Sequence, residues 1–90
     1  MTEEKNLSDV RKSIKVYPNP FTRRINIECV SGFTSQLEFI VYDVQGRSVQ
    51  KTKINSKIKS VDLSSLPAGI YFGAIKGLKE TTIRPIIKID

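Results

Sequence analysis

Seven short runs of strand-forming residues, separated by turn signals, constrain this chain more than any other feature of its sequence. The runs are rich in Val, Ile, Tyr, Phe and Thr, and most of them alternate as a half-buried strand does. They cover residues 13–17, 24–30, 37–44, 47–54, 58–63, 70–76 and 81–89. No segment keeps a helical period over the roughly ten residues that a helix needs. Short strands with turns at this spacing predict an all-β sandwich of about seven antiparallel strands.

The length of the chain, 90 residues, is that of one domain. Residues 1–12 show no periodicity, so we expect a flexible linker or tail there and the β-sandwich over residues 13–90. A domain of this size buries only about 60–65% of the surface that its unfolded chain exposes, so its core is expected to be thin. No apolar run approaches the roughly 18 residues of a transmembrane helix. The polar N-terminus, "MTEEKNLSDVRK", has no apolar segment of the kind found in secretory signals.

The stretch "VYDVQGRSV" at residues 41–49 predicts a β-hairpin. Asp43 stands where a type I turn takes a hydrogen-bonding first residue. Gly46 follows three residues later, where a positive φ closes a hairpin through a G1 bulge. The strands at 37–44 and 47–54 are therefore expected to pair with each other in antiparallel orientation.

Two strands are expected to lie in the middle of a sheet because both of their faces are apolar. Strand 37–44 carries Leu, Phe and Val at one parity and Ile, Tyr and Val44 at the other. Strand 70–76 has a similar pattern, interrupted by Gly73. A glycine inside a strand often marks close packing, so a side chain from the facing sheet is expected to pack against Gly73. The last strand places Ile83, Ile87 and Ile89 on one face, and Pro85 requires an edge or a bulge there.

Residues 47–59 are mostly polar and basic. Their cations are Arg47, Lys51, Lys53, Lys57 and Lys59. One interpretation is a cationic face that docks phosphate-rich glycan or nucleic acid, with salt-dependent binding lost on charge reversal at Lys51 and Lys53. The other is an edge hairpin whose lysines prevent strand-to-strand aggregation. We favour the edge hairpin because edge lysines need no ligand to explain them.

The net charge and the single cysteine point to no particular chemistry. Fifteen Lys and Arg against nine Asp and Glu give a net charge of +6, which suits an acidic partner, a glycolipid or nucleic acid but is also common in solvated β-proteins. Cys29 shares the parity of Ile25 and Ile27. We therefore expect a buried free thiol at Cys29 rather than a reactive one.

No pattern of catalytic or ligand-binding residues occurs in the chain. There is no histidine to activate a nucleophile or bind a metal, and the adjacent Ser56 and Lys57 point to opposite faces of a strand. Asp43 and Asp62 have turn or strand-end explanations. The chain also lacks a glycine-rich phosphate loop and an RNA-stacking strand signature. We expect no enzyme activity, no cofactor, no metal and no nucleic-acid partner.

Two loops stand out by their prolines. In "VDLSSLPAGIYFGAI" at 61–75, Leu63 and Leu66 are expected to enter the core, followed by Pro67, a positive φ at Gly69 and a tyrosine corner at Tyr71. The plainer interpretation of this loop is a Pro-Gly turn before a buried tyrosine. In "VYPNP" at 16–20, Pro18 and Pro20 remove two backbone donors, so we expect a rigid exit from the first strand in which Asn19 caps the local backbone.

Taken together, "VYPNP", "VYDVQGRSV", "VDLSSLPAGIYFGAI" and the closing "IRPIIKID" resemble the type A C-terminal sorting domain of the type IX (Por) secretion system. The resemblance covers residues 13–90. It implies a seven-stranded immunoglobulin-like sandwich at the C-terminus of a larger exported cargo protein. It also implies recognition by the outer-membrane secretion translocon, and removal by a sortase-like cysteine protease that attaches the cargo to the cell surface. Cleavage is expected at or before residues 1–12.

Carried over by position, the resemblance implies a set of signal residues. They are Pro18, Asn19, Pro20, Asp43, Gly46, Leu66, Pro67, Gly69 and Tyr71, with Ile86, Ile87, Lys88, Ile89 and Asp90 in the last strand. Pro85 departs from the family, whose members usually carry a lysine or another strand-compatible residue there.

Sheet edges suggest how such a signal is read. Exposed edges offer docking by strand addition, and they also allow a weak homodimer. The alternative function is that of a fibronectin-III-like structural or adhesive module of a cell-surface protein, for which the same strand pattern is expected.

Overall fold

The computed structural model describes residues 14–29, 37–77 and 81–90. They form seven strands and, within these ranges, no helix. The strands are β1 Ile14–Tyr17, β2 Arg24–Cys29, β3 Leu37–Tyr42, β4 Ser48–Ile54, β5 Ile58–Asp62, β6 Gly69–Lys76 and β7 Thr81–Lys88. Every strand agrees with a predicted run to within two residues at each end. The linker expected at 1–12 lies outside the described residues.

The strands form two antiparallel sheets, which confirms the predicted all-β fold. One sheet has the order β1-β2-β5 and the other has the order β4-β3-β6-β7. The two strands that are apolar on both faces, β3 and β6, are the central strands of the four-stranded sheet, as predicted. Strand β7 lies at its edge, where Pro85 needs no ladder partner for its nitrogen.

The basic segment 47–59 is not a hairpin, which corrects the prediction. Strand β4 pairs with β3, with Lys51 opposite Ile40, whereas β5 pairs with β2, with Lys59 opposite Ile27. In a constant-type immunoglobulin domain the fourth strand lies beside the fifth. Here the tight turn after β3 places β4 beside β3 in the four-stranded sheet. The loop at residues 55–57 then crosses to the three-stranded sheet, which contains β5. Both strands still lie at sheet edges.

The core lies between the two sheets and is built by strand alternation. In β2, Ile25, Ile27 and Cys29 point inwards, and Cys29 is buried as predicted. The largest fully buried side chains are Phe21, Phe39, Ile25, Ile27, Ile54, Leu63, Ile86 and Val41. Burial of each such side chain contributes about 1.5–3 kcal/mol to the stability of the fold.

The two leucines of the proline loop differ in depth. Leu63 is fully buried, as predicted, while Leu66 is only partly buried and packs against the rim of the core. Val44 is not a strand residue, which corrects its assignment to β3. It lies in the turn and is exposed, because the turn starts at Asp43 and ends the strand at Tyr42.

The last strand shows the predicted pattern with its apolar face turned outwards. Ile83, Ile87 and Ile89 share one parity, and all three are exposed. The inward parity instead carries Ile86 and the buried polar residues Thr82 and Lys88. The hydrophobic row of this strand therefore remains on the surface of the domain.

Candidate functional site

The sequence-predicted signal residues meet at one end of the sandwich, although they are spread over residues 18–90. In the four-stranded sheet, Tyr42 at the end of β3 pairs with Phe72, and Ile70 near the start of β6 pairs with Ile87 near the end of β7. The turn after β3, the proline loop before β6 and the last residues of β7 are therefore neighbours. We call this the motif end of the domain. The proline elbow, residues 17–21, joins it through contacts with β7.

The turn after β3 is held by the Asp43 carboxylate. Its Oδ1 accepts hydrogen bonds from the backbone N–H groups of Gln45 at 2.9 Å and Arg47 at 3.0 Å. Its Oδ2 accepts one from Arg47 Nε at 2.9 Å. The Gly46 N–H donates to the Asp43 carbonyl at 3.0 Å, and Gly46 has a φ of 85°. These bonds and the register shift at Val41/Tyr42 confirm the predicted turn and its bulge.

The same hydrogen bonds favour the ionised form of the Asp43 carboxyl group. The N–H of Arg47 is the largest cause that lowers the pKa of Asp43 below its ordinary value. Burial opposes it, and the Arg47 side chain and the Gln45 N–H lower the pKa further. The charge of Asp43 is therefore used inside the turn, where it fixes the loop shape.

A tyrosine corner shapes the proline loop, as predicted. The Tyr71 hydroxyl donates to the Pro67 carbonyl four residues upstream. Gly69 has a φ of 154°, a backbone conformation that favours glycine. At the other end of the loop, the Leu63 N–H donates to Arg23 O at 2.8 Å, which ties the loop to the start of β2. Tyr71 itself is buried, so its contribution is to the shape of the loop.

An open groove of about 440 Å³ separates these two loops. Asp43, Leu66, Pro67, Gly69 and Tyr71, all sequence-predicted signal residues, line it. Its other lining residues are Val44, Gln45, Arg47, Val49, Ala68 and Ile70. The groove thus has mostly apolar walls, and its two charged lining residues, Asp43 and Arg47, form an ion pair with each other at 2.9 Å.

The proline elbow binds the edge of the last strand. Asn19 Nδ2 donates to the Pro85 carbonyl at 2.9 Å, and the Ile87 N–H donates to Asn19 Oδ1 at 2.9 Å. The Phe21 N–H donates to Ile87 O, and the Ile89 N–H donates to Phe21 O, both at 2.9 Å. The peptide bonds before Pro18 and Pro20 are both cis. Asn19 was expected to cap the local backbone, and that expectation is wrong because both of its bonds reach a strand 66 and 68 residues away.

These four bonds occupy the outer backbone groups of residues 85–89. Asn19 mimics a peptide group with its side-chain amide, and Phe21 continues the pairing with a parallel bridge to Lys88. Strand addition to this half of β7, one of the docking modes suggested by the sequence, is therefore blocked while the elbow stays in place.

Phe21 is the residue of this site that sequence reasoning missed. It is fully buried and provides two of the four bonds to β7. A large apolar residue directly after the two prolines was the available signal. An isolated aromatic outside an alternating run, however, does not show which strand its backbone contacts.

Two kinds of reactive group can be assessed in the described residues, a metal-binding cluster and the thiol of Cys29. Within these ranges no cluster of three His, Cys, Asp or Glu is placed to hold a metal ion. Burial raises the pKa of the Cys29 thiol, which favours its unreactive protonated form. None of the described segments forms a helix of the length and hydropathy needed to cross a membrane.

Residues 15–89 match the family model described as a secretion system C-terminal sorting domain. The match extends over both sheets and includes the elbow, the turn, the proline loop and the whole of the last strand. No curated protein matches the chain.

Proposed function

The chain belongs to the family of secretion system C-terminal sorting domains, and from this premise we propose that it delivers a larger cargo protein to the outer-membrane translocon of the type IX system. The family is a group of non-catalytic C-terminal signals that the secretion system recognises. Such a signal implies export of its parent protein to the cell surface or the medium. The match over residues 15–89 is the observation that carries the proposal.

The arrangement of the motif end supports a role as a recognition element. The side chains with the strongest sequence signature hold loops in place: Asp43 through its turn, Tyr71 through its corner and Asn19 through β7. Recognition by a large secretion complex requires a domain surface of defined shape, and it does not require a reactive pocket. In this proposal Asp43, Gly46, Leu66, Pro67, Gly69 and Tyr71 set the shape of the groove, and the elbow presents residues 86–90.

We further propose that a sortase-like cysteine protease removes the domain after export. Its cleavage site would fall at or before residues 1–12, upstream of the folded sandwich. The cargo would then be attached to the cell surface without this domain. In this scheme the domain has no enzymatic activity, binds no cofactor and acts only as an address.

The test is a reporter fusion. A secreted fluorescent protein carrying residues 13–90 at its C-terminus is expressed in a bacterium with a type IX system and in a matched strain lacking the translocon. We expect the reporter on the surface or in the medium of the first strain and in the periplasm of the second. Periplasmic retention in both strains would contradict the proposal and favour the structural or adhesive module.

Truncation of the last strand sharpens this test. Removal of residues 86–90 is expected to abolish export, since it deletes the fully buried Ile86 together with the residues bound by the elbow. Removal of Ile89 and Asp90 alone keeps Ile86 and serves as the milder comparison. Normal surface delivery of the fusion lacking residues 86–90 would contradict a signal role for this strand.

A further inference from the structure

The exposed apolar side chains of the described residues concentrate on one surface. The large hydrophobic residues with high exposure are Tyr17, Val44, Val49, Ile58, Ile70, Phe72, Ile83, Ile87 and Ile89. All except Tyr17 and Ile58 lie on, or border, the outer face of the sheet formed by β4, β3, β6 and β7. We call this surface the outer face.

The strand register makes the outer face continuous. Ile70 pairs with Ile87, and Ala74 pairs with Ile83 across β6 and β7. Phe72 lies between Tyr42 of β3 and Pro85 of β7. Directly opposed side chains on one face have Cβ atoms about 4.5–5.5 Å apart, so these apolar residues adjoin one another across β6 and β7.

This face is better suited to docking than the neighbouring edge. The elbow already occupies the outer backbone groups of residues 85–89, so strand addition there would first have to break four hydrogen bonds. On the outer face, in contrast, Ile70, Phe72, Ile83 and Ile87 are exposed above a fully paired central backbone, while Ile40 and Ala74 between them are buried. Covering the exposed side chains removes apolar surface from water and breaks no hydrogen bond of the sheet.

The charges around the outer face indicate the chemistry of what covers it. Lys53 on β4 and Lys76 on β6 lie at the end of the face away from Ile70 and Ile87. Lys51 lies on the β4 side, level with Ala74 and Ile83. Glu38 is the acid among them and pairs in register with both Lys53 and Lys76. That end therefore has an excess of positive charge, which would attract carboxylates on a partner.

We propose that the outer face docks onto a protein of the secretion machinery whose own surface is apolar and bordered by acidic side chains. The inference rests on the proposed function and names the surface through which it acts. A second copy of the domain fits less well, since each copy carries a net charge of +6. A lipid surface also fits less well, because the described cations of this face lie on β4 and at the end of β6 and leave its β7 side uncharged.

The two isoleucines at positions 70 and 58 provide a matched pair for the experiment. Each is 53% exposed on a strand, Ile70 on the outer face and Ile58 on β5 of the other sheet. In the reporter fusion, we expect Ile70→Glu to lower export about tenfold or more, because a carboxylate would be desolvated against an apolar partner. Ile58→Glu is expected to export like the unmodified fusion.

Three further variants extend the test to a second apolar position and to the charges. Ile83→Glu changes the most exposed isoleucine of β7, at 62%, and is expected to reduce export in the same way. Lys51→Glu should give a smaller loss of about two- to fivefold, since a charge at the rim mainly steers association. Lys57→Glu, in the loop between the sheets, is the charge control and should export normally.

Circular dichroism and urea unfolding of each purified domain test whether a variant retains the fold, so that a loss of export can be separated from unfolding.

Several outcomes would overturn the inference. Normal export of folded Ile70→Glu and Ile83→Glu alongside the unmodified fusion would do so while leaving the proposed function intact. A concentration-dependent dimer in sedimentation experiments, lost in Ile70→Glu, would assign the face to a second copy. Binding to vesicles of anionic phospholipid, lost in the same variant, would assign it to lipid. Failure of the unmodified fusion to export would overturn the proposed function and the inference together.

Discussion

The ring of Phe39 packs directly against Gly73 inside the sandwich. A Cβ atom built on Gly73 would lie 2.7 Å from Phe39 Cε1 and 3.0 Å from Cζ. Phe39 belongs to β3, the neighbouring strand of the same sheet, so the prediction of close packing at Gly73 is confirmed but the facing sheet does not supply the side chain. The glycine is there because a fully buried ring lies diagonally across from it.

We expect Gly73→Ala to destabilise the domain by about 1–3 kcal/mol, the usual cost of forcing an extra atom into a packed core. Urea unfolding of the two purified proteins measures the difference. In a Phe39→Leu background the ring is absent, so the same substitution should cost less. An Ala variant as stable as the parent, or an equal cost in both backgrounds, would show that the contact does not determine the residue.

The proline elbow and the last strand form one element, although the bonds of Asn19 to this strand span 66 and 68 residues along the chain. The elbow gives β7 the pairing that a further strand would otherwise provide. It also protects a sheet edge, which is otherwise exposed to unwanted pairing with other chains. The prolines flanking Asn19 place this residue beside the strand without making it part of a ladder.

Replacement of Asn19 by Ala removes the bonds to Pro85 O and Ile87 N. At about 0.5–1.5 kcal/mol for each bond, we expect a loss of about 1–3 kcal/mol in the free energy of unfolding. Hydrogen exchange of the Ile87 amide should accelerate by more than that of amides in β3. Asn55→Ala changes an exposed asparagine without a described side-chain bond and is the control. An unchanged exchange rate of the Ile87 amide would show that the Asn19 side chain does not stabilise the pairing of the proline elbow with β7.

At the scale of the whole molecule, the domain divides into a motif end with shaped loops and a continuous apolar outer face. Loop geometry at the motif end depends on two carboxylates. The Arg47 N–H is the main cause that lowers the pKa of Asp43, and the Ser64 hydroxyl and N–H are the main causes that lower the pKa of Asp62. Both carboxylates stabilise the fold only while they are ionised.

The sign of the pH dependence follows from these lowered pKa values. Each contribution is present above the ordinary value of 3.8 and is lost as the pH falls below it through the lower pKa of the folded state. In urea unfolding between pH 7 and pH 2, the double variant Asp43→Asn/Asp62→Asn should therefore lose less stability on acidification than the parent. Equal acid sensitivity of the two proteins would contradict this assignment.

The sequence by itself determined the strands, the turn at Asp43 and Gly46, and the corner at Tyr71. Each depends on residues within a few positions of one another, so a local sequence pattern is enough to predict it. The family resemblance depends on local motifs in a specific order, and the match over residues 15–89 confirms it. Whether the individual signal residues are read by the machinery stays a prediction.

Only the tertiary structure decided which surfaces meet. Alternation shows that Ile83 and Ile87 share a face but not that this face is the outer one, since that depends on what packs against the strand. Lysines at an edge do not show that β4 and β5 belong to different sheets. Asn19 could find its partners on β7 only once the folded chain had brought the two segments together, and a contact across more than sixty residues leaves no periodic trace in the sequence.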